Sequence, residues 1–313
     1  MNIIVKMRFG SHLYGTDTPE SDQDFKGIFL PSKEEILLNK IPKSISSNSK
    51  KGSETRNTSD DVDTEIYSLH YFIKLALEGQ TVAIDMLHAN EPNILEKSNI
   101  WDSIVENRSK FYTKSLKAFV GYARTQAAKY GIKGSRLNSV KLVIDSLRSF
   151  NLESRLRDYW NELPVGDYIF RPKNPKTTLF EYEVCGKKFQ ETAKVGYVLP
   201  ILERFYKEYG KRAEMAAKNE GIDWKAVSHA VRAAFQTRQL LLNNNIIFPL
   251  KGAPLLLKIK KGELDYTTQV SPLLENLMEE VEDLTVTSNL PLHPDYKFWD
   301  KWMCETLEDN LFK

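Results

Sequence analysis

The spacing of hydrophobic residues along the chain changes once, after Ser68. Residues 3–9 form an apolar run and residues 61–67 alternate polar and apolar positions, so both are predicted to be strands. Beyond Ser68 the period lengthens to about 3.6, which is typical of amphipathic helices. The helical patterns cover residues 69–77, 82–89, 100–129, 136–150, 199–219 and 224–243. The pattern predicts an α+β protein with a small mixed sheet at the N-terminus followed by a mainly helical part.

We expect two domains, residues 1–98 with the strands and residues 99–313 with most helices. Residues 164–194 contain turn residues and short β-rich runs, which predict a small hairpin inserted between helices. Residues 40–60 are rich in Ser, Lys, Asn and Thr and poor in apolar residues, so we expect a mobile loop between the two acidic strands. This loop is either a linker or a segment that closes on a polyphosphate or an RNA backbone. Its candidate contacts are Lys43, Lys50, Lys51 and Arg56.

Composition limits the possible classes of protein. With 313 residues, of which 41% are hydrophobic, the chain can bury one large core or two ordinary ones. Lys and Arg number 44 against 42 Asp and Glu, so any contact with nucleic acid must come from a local patch. Cys185 and Cys304 lie far apart without metal-binding spacing, and no signal peptide or membrane-spanning run is present. We therefore expect a cytoplasmic protein with no membrane partner.

Two short motifs follow the first strand. Gly10-Ser11 is predicted to form a turn whose backbone N–H groups and hydroxyl can hold phosphate oxygens. Asp22 and Asp24 stand two apart at the head of the next strand, so both carboxylates point to one face. Two like charges this close are costly unless a cation lies between them, and carboxylate oxygens suit Mg²⁺. These residues indicate a metal site.

A third acid is expected on the neighbouring strand. Asp63 and Glu65 share one face of residues 61–67. Asp63, Glu65 or both can complete the acidic cluster, or the two acids can be the solvated side of a half-buried strand.

The spacing of these motifs resembles a known signature. Gly10-Ser11, ten further residues, and then Asp22-x-Asp24 followed by an apolar residue resemble the motif of the DNA polymerase β-like nucleotidyltransferase superfamily, although Gln23 stands where an apolar residue is usual. Residues 9–31, 79–89 and 223–250 together resemble the predicted-nucleotidyltransferase family of bacteria and large tailed phages, and most closely its phage-type branch. Some bacterial members of that family are linked with RNA ligases in RNA repair.

The resemblance implies a polymerase β-like palm that binds two Mg²⁺ or Mn²⁺ ions. It implies transfer of a nucleoside monophosphate from an NTP such as ATP to an acceptor hydroxyl, with release of pyrophosphate. Asp22 and Asp24 would hold the metals, Asp63 or Glu65 would complete the second metal site, and Gly10-Ser11 would hold the terminal phosphates. If the chain is encoded by a phage, its location would be the host cytoplasm.

The resemblance leaves the acceptor open. RNA, including a tRNA-like end, is favoured by a segment with interleaved basic and aromatic residues, which is equally consistent with a helix pair that has a basic surface. A protein or small-molecule acceptor, or a non-catalytic nucleotide-binding module, are the alternatives. The residues of the basic segment are Tyr122, Arg124, Lys129, Tyr130, Lys133 and Arg136.

A helix in the C-terminal half carries a second candidate site. Lys225, His229, Arg232 and Gln236 recur at spacings of four, three and four, which places them along one helix face. Such a row suits a triphosphate opposite the acidic strands, although rows of charge are often only solvated surface. Asp85 is an acid in an otherwise apolar helix, and it is either a partner of the helix dipole or a buried group that orients a basic residue.

Overall fold

The computed structural model describes residues 1–48, 62–114, 134–174, 177 and 179–312. The backbone divides into two compact units. The first unit comprises Met1–Lys129, Trp224–Leu264 and Pro272–Lys313. The second comprises Tyr130–Asp223 and Asp265–Ser271.

The first unit is built on a five-stranded mixed sheet. Its strands are β1 (Asn2–Arg8), β2 (Gln23–Leu30), β3 (Ser44–Asn48), β4 (Val62–Ser68) and β5 (Ile94–Lys97). The spatial order is β3-β4-β2-β1-β5, and only the pair β2 and β4 is parallel. Parallel pairing needs a long crossover, and here the crossover runs through β3, which returns antiparallel to β4. The expected α+β class and mixed sheet are confirmed.

The helices of this unit come from both early and late segments of the chain. They are α1 (Gly10–Tyr14), α2 (Lys33–Leu37), α3 (Leu69–Leu77), α4 (Thr81–Leu87) and α5 (Asn99–Glu106), followed later in the chain by α8 (Trp224–Asn243), α9 (Ala253–Lys260), α10 (Ser271–Thr287) and α11 (Tyr296–Leu307). Short 3₁₀ turns lie at Glu91–Asn93 and Arg108–Phe111, and a π-helical turn follows α11 at Glu308–Phe312. In α3, Leu69, Phe72, Ile73 and Ala76 are buried at the spacing of one helix face.

The second unit packs two helices beside a small antiparallel sheet. The strands are β6 (Ile169–Phe170), β7 (Glu181–Val184) and β8 (Lys187–Gln190), and the helices are α6 (Gly134–Leu147) and α7 (Val195–Ala217). A 3₁₀ turn at Leu156–Tyr159 and a π-helical turn at Tyr266–Val270 complete it. Its buried core draws on both helices and both long strands: Val140, Val143, Leu147, Tyr182, Val184, Phe189, Val198 and Leu202.

Three expectations about elements need correction or comment. Residues 40–60 were expected to be a loop, but residues 44–48 form the edge strand β3, whose Ser-rich sequence lacks the apolar alternation that marks a strand. Within the helical pattern predicted over residues 100–129, α5 ends at Glu106 and a 3₁₀ turn covers Arg108–Phe111, while residues 115–129 lie outside the described part of the chain. The boundary at residue 98 stays a prediction, and each of the two compact units joins segments that are distant in sequence. Among the helices that the structure describes, none combines the length and apolar character needed to cross a bilayer.

Candidate active site

The sheet brings three carboxylates together at one end of the parallel strand pair. Asp22 lies just before β2, Asp24 is on β2 and Asp63 is on β4, and the parallel register places Asp24 directly beside Asp63. One carboxylate oxygen of each residue lies within 4.8 Å of the others. Asp63 Oδ1 is buried without a hydrogen-bond partner among the described residues. Hard oxygen ligands at this spacing, one of them unsatisfied, fit a divalent cation.

The electrostatics of Asp24 follow from this crowding. Burial raises the pKa of the Asp24 carboxyl, and the neighbouring charges of Asp22 and Asp63 raise it further. The cations of Lys26 and Lys225 oppose the shift. The cluster therefore carries an excess of negative charge that local lysines only partly balance, which is the condition under which carboxylates attract a metal ion.

Gly10 and Ser11 begin the short helix α1 directly beside these acids. Gly10 has φ +62°, and a Cβ built at this position would overlap the Asp24 carboxylate. The Phe9 N–H donates to the Asp24 carbonyl oxygen at 2.8 Å, which fixes the start of α1 against β2. Ser11 Oγ is buried without a partner among the described residues. The motif thus supplies a hydroxyl next to the acidic cluster, and only a glycine allows this close approach.

The helix α8 forms the opposite wall of a cleft of about 380 Å³. Lys225, His229 and Arg232 line this cleft together with the acidic cluster and the Gly-Ser motif. Lys260, from α9, adds a fourth basic side chain. With Lys26 of β2, five basic or imidazole groups among the described residues face a common space with the three acids, as binding of a metal–polyphosphate complex requires.

Comparisons with known proteins agree with this geometry. Residues 1–159 match the family model RlaP, described as the RNA repair pathway DNA polymerase beta family. An uncharacterized 38.9 kDa protein from the nrdC-mobD intergenic region of Enterobacteria phage T4 is 37% identical over 333 residues, which cover 99% of this chain and 98% of the phage protein. The chain belongs to the RNA repair pathway DNA polymerase beta family. Membership makes it a nucleotidyltransferase.

A solved structure of a nucleotidyltransferase-like protein from Exiguobacterium sibiricum is also similar. It has 8% sequence identity, and the match covers 99% of this chain and 75% of that chain. The TM-score of the match is 0.25.

Asp63 and Glu65, the two candidates for the third acid, have different environments in the structure. Glu65 accepts hydrogen bonds from Lys26 at 2.7 Å, Tyr67 at 2.6 Å and Ser44 at 3.2 Å. These donors lower the pKa of Glu65 against the effect of its partial burial. Asp63 joins the cluster and Glu65 does not, because Glu65 lies two residue pairs further along the ladder, level with Lys26.

Gln236, the last member of the predicted row on α8, does not line the cleft. It is buried and donates from Nε2 to Asp85 Oδ1 at 2.6 Å. Asp85 is itself buried on α4 and accepts a second hydrogen bond, from the Tyr14 hydroxyl at 2.8 Å. Asp85 was predicted to be either a partner of the helix dipole or a buried group that orients a basic residue. Its burial and its two hydrogen bonds favour the second role.

Some cleft residues are not apparent from the motifs. Lys26, Tyr14 and Ser228 line the cleft, and Lys260 follows Leu256 by four positions so that both reach it from α9. A cluster of lysines at the end of an otherwise apolar helix, Lys258 to Lys261, was the available signal for Lys260. Tyr14 carried no signal of its own.

The predicted RNA-facing residues lie mostly outside the described part of the chain. This applies to the loop residues Lys50, Lys51 and Arg56, and to the whole basic segment except for the backbone of Arg136. Lys43 is described, and its Nζ lies 5.8 Å from the centre of the Tyr71 ring.

Proposed function

We propose that this protein transfers a nucleoside monophosphate from an NTP to a hydroxyl group of RNA and releases pyrophosphate. The observation that carries the proposal is the single cleft in which three carboxylates face a wall of basic side chains. The match to the RNA repair pathway DNA polymerase beta family supports RNA as the acceptor.

Asp22, Asp24 and Asp63 would hold the divalent cations, Mg²⁺ or Mn²⁺, because they offer converging oxygens and Asp63 has one buried oxygen without a partner among the described residues. When bound, such ions neutralise phosphoryl oxygens and activate an attacking hydroxyl. We assign Asp63 as the group that accepts the proton of the acceptor hydroxyl, because of that unsatisfied oxygen.

The remaining cleft residues orient the nucleotide and balance charge. The acceptor oxygen forms a bond to the α-phosphorus while the bond from that phosphorus to the bridging oxygen breaks, and the electron pair leaves with pyrophosphate. Ser11 would donate its hydroxyl to the terminal phosphates. Lys225, His229, Arg232 and Lys260 would neutralise the charge that develops on the leaving group, a role in which placement matters more than covalent chemistry.

The test is a transfer assay with each α-³²P-labelled NTP, Mg²⁺ or Mn²⁺, and a tRNA pool. We expect label to enter RNA, and Asp24→Asn to lower the rate by at least ~100-fold, as loss of a central electrostatic group does. The matched control is Glu34→Gln, an exposed acid on α2.

Each other outcome is informative. Label on the protein or on a small molecule would overturn RNA as the acceptor but keep the transferase reaction. Absence of any transfer under all conditions would overturn the proposed reaction.

A further inference from the structure

Asp85 is a buried carboxylate in a helix that is otherwise apolar. Only 1% of its surface is exposed, and its neighbours Ala83, Ile84, Met86 and Leu87 on α4 are also buried. Removing a charge from water costs several kcal/mol unless partners compensate for the loss of solvation. The partners of Asp85 should therefore reveal why an acid is present there.

Those partners lie on α1 and α8, two helices that also contribute residues to the active-site cleft. Asp85 accepts hydrogen bonds from the Tyr14 hydroxyl at 2.8 Å and from Gln236 Nε2 at 2.6 Å. Arg232 stands one helical turn before Gln236 on α8, and its guanidinium carbon lies 3.8 Å from the centre of the Tyr14 ring. Tyr14 and Arg232 both line the cleft. Both hydrogen-bond donors to Asp85 are thus neighbours of Arg232. The ring of Tyr14 lies against the guanidinium, and Gln236 is four residues further along the same helix.

The charges of this group compensate each other. Burial raises the pKa of the Asp85 carboxyl to about 6, while the positive charge of Arg232 and the hydrogen bonds from Tyr14 and Gln236 act in the opposite direction. At neutral pH the carboxylate is therefore ionised, and it offsets the charge of the half-buried guanidinium.

Arg232 has a donor, Nε, that the described residues do not use. Its Nε is buried and has no hydrogen-bond partner among the described residues. An arginine loses up to ~2 kcal/mol of side-chain entropy when it is ordered, so an arginine held in place beforehand binds a ligand at lower cost.

We propose that Asp85 is a positioning residue, which holds Arg232 against the Tyr14 ring through Tyr14 and Gln236 so that the guanidinium faces the phosphates of the nucleotide. This inference rests on the proposed function, because it takes Arg232 as a phosphate contact. A merely structural role for Asp85 would affect folding stability without any specific effect on Arg232.

The first test measures solvent exchange of the Arg232 side chain in the absence of nucleotide. In ¹⁵N-labelled protein, the arginine Nε–H signals are recorded, and the signal of Arg232 is assigned by its loss in Arg232→Lys. We expect this signal to be protected from solvent exchange in the wild type and to exchange at least ~10-fold faster in Asp85→Asn, which keeps the size of the side chain but removes its charge. The same protection in Asp85→Asn would overturn the inference.

The second test measures coupling in nucleotide binding. We expect Asp85→Asn to raise the NTP Kd about 10-fold in the wild type and less than about twofold in an Arg232→Gln background, because interacting residues are not additive. The control Thr237→Val alters a neighbouring buried residue whose hydroxyl donates to the Ala233 carbonyl oxygen of its own helix. It should lower the thermal midpoint without changing the Kd.

The outcomes distinguish failure of the positioning role of Asp85 from failure of the proposed function. Equal effects of Asp85→Asn in both backgrounds would overturn the positioning role. Absence of NTP binding by the wild type would overturn the proposed function, while the exchange measurement still decides whether Asp85 orders Arg232.

Discussion

Two structural features require a glycine at position 10. Its backbone lies in the left-handed region, and the space where a Cβ would stand is occupied by the Asp24 carboxylate. The Gly-Ser motif and the Asp-x-Asp motif, separated in sequence, are therefore in direct contact in the folded protein.

Gly10→Ala should remove activity and destabilise the fold by more than the ~1 kcal/mol that a left-handed backbone alone costs. Gly79→Ala is a matched control, because Gly79 has nearly the same φ, +66°, but has no atom within 4 Å of the built Cβ. Chemical denaturation of both variants and a transfer assay measure the difference. Equal losses of stability in the two variants would show that contact with Asp24 is unimportant.

His88 should make stability depend on pH. Its Nδ1 lies 2.8 Å from Ile84 O and its Nε2 lies 2.9 Å from the Tyr112 hydroxyl, so the neutral ring is bonded on both sides. Burial lowers the pKa of His88 to about 4. The unfolded chain takes up this proton near pH 6.5 but the folded chain does not, so His88 contributes stability above pH 6.5 that is lost as the pH falls towards 4.

Between pH 7.5 and pH 5, the wild type should lose about 2 kcal/mol more unfolding free energy than His88→Gln does. Urea unfolding at the two pH values provides the measurement. The raised pKa of Asp85 has the opposite effect on stability over this range, but it is present in both proteins and cancels in the comparison. Parallel pH profiles for the two proteins would contradict the assignment of a neutral buried His88.

The residues predictable from sequence are those whose chemistry repeats along the chain. Asp22, Asp24 and Asp63 were found because strand alternation places acids on one face, and the structure brings them together. The Gln236–Asp85 contact was not predicted, since it joins residues 151 positions apart and no local pattern encodes it. Roles for all these residues in catalysis remain predictions.

At the scale of elements, α8 and α9 provide the basic wall of the cleft. Lys260 is partly buried at the end of α9, where burial and the charge of Lys225 lower its pKa. The adjacent Lys261 is 56% exposed in its side chain and lies 3.9 Å from a carboxylate oxygen of Glu263. Lys260 and Lys261 are thus adjacent in sequence but lie in different environments.

We expect Lys260→Met to raise the NTP Kd about 10-fold, because a charged hydrogen bond to phosphate is lost, and Lys261→Met to leave it within about twofold. Equilibrium titration with a fluorescent NTP analogue measures both. If the two variants weaken binding equally, the effect comes from general charge and not from the cleft.

Elements with strong periodicity were the easiest to predict. The helix predicted over residues 224–243 matches α8 at both ends, since its buried and polar positions follow one helical repeat. The strand β3 was missed because it is an edge strand whose residues are mostly Ser, and its pairing with β4 is a tertiary contact.

At the scale of the whole molecule, the first unit depends on chain segments far apart in sequence. Trp299 on α11 is 1% exposed and stacks on Phe111 with ring centroids 3.9 Å apart. Trp302 donates from Nε1 to Ser103 Oγ at 2.9 Å. These contacts attach α11 to the segment around α5, which lies about 190 residues earlier in the same unit.

Trp299→Ala should lower the unfolding free energy of this unit by about 3–5 kcal/mol, as removal of a buried aromatic side chain does. Tyr296→Ala, at a residue that is 51% exposed on the same helix, should change it by less than about 0.5 kcal/mol. Denaturant unfolding followed by circular dichroism distinguishes them. A separate early transition of α11, with the main midpoint unchanged, would show that this helix folds independently.

The division of the first unit between early and late parts of the chain has a consequence for its synthesis. Roughly 90 residues of the second unit emerge from the ribosome between the acidic strands and α8, which takes about 5–20 seconds at ordinary rates of translation. During that interval Asp85 and Tyr14 have been made but Gln236 and Arg232 have not. During that time Asp85 lacks the Gln236 hydrogen bond and the Arg232 charge, and apolar surface of the nascent sheet is exposed. Slow translation or a stalled ribosome in this region would therefore favour binding of chaperones to the unfinished chain.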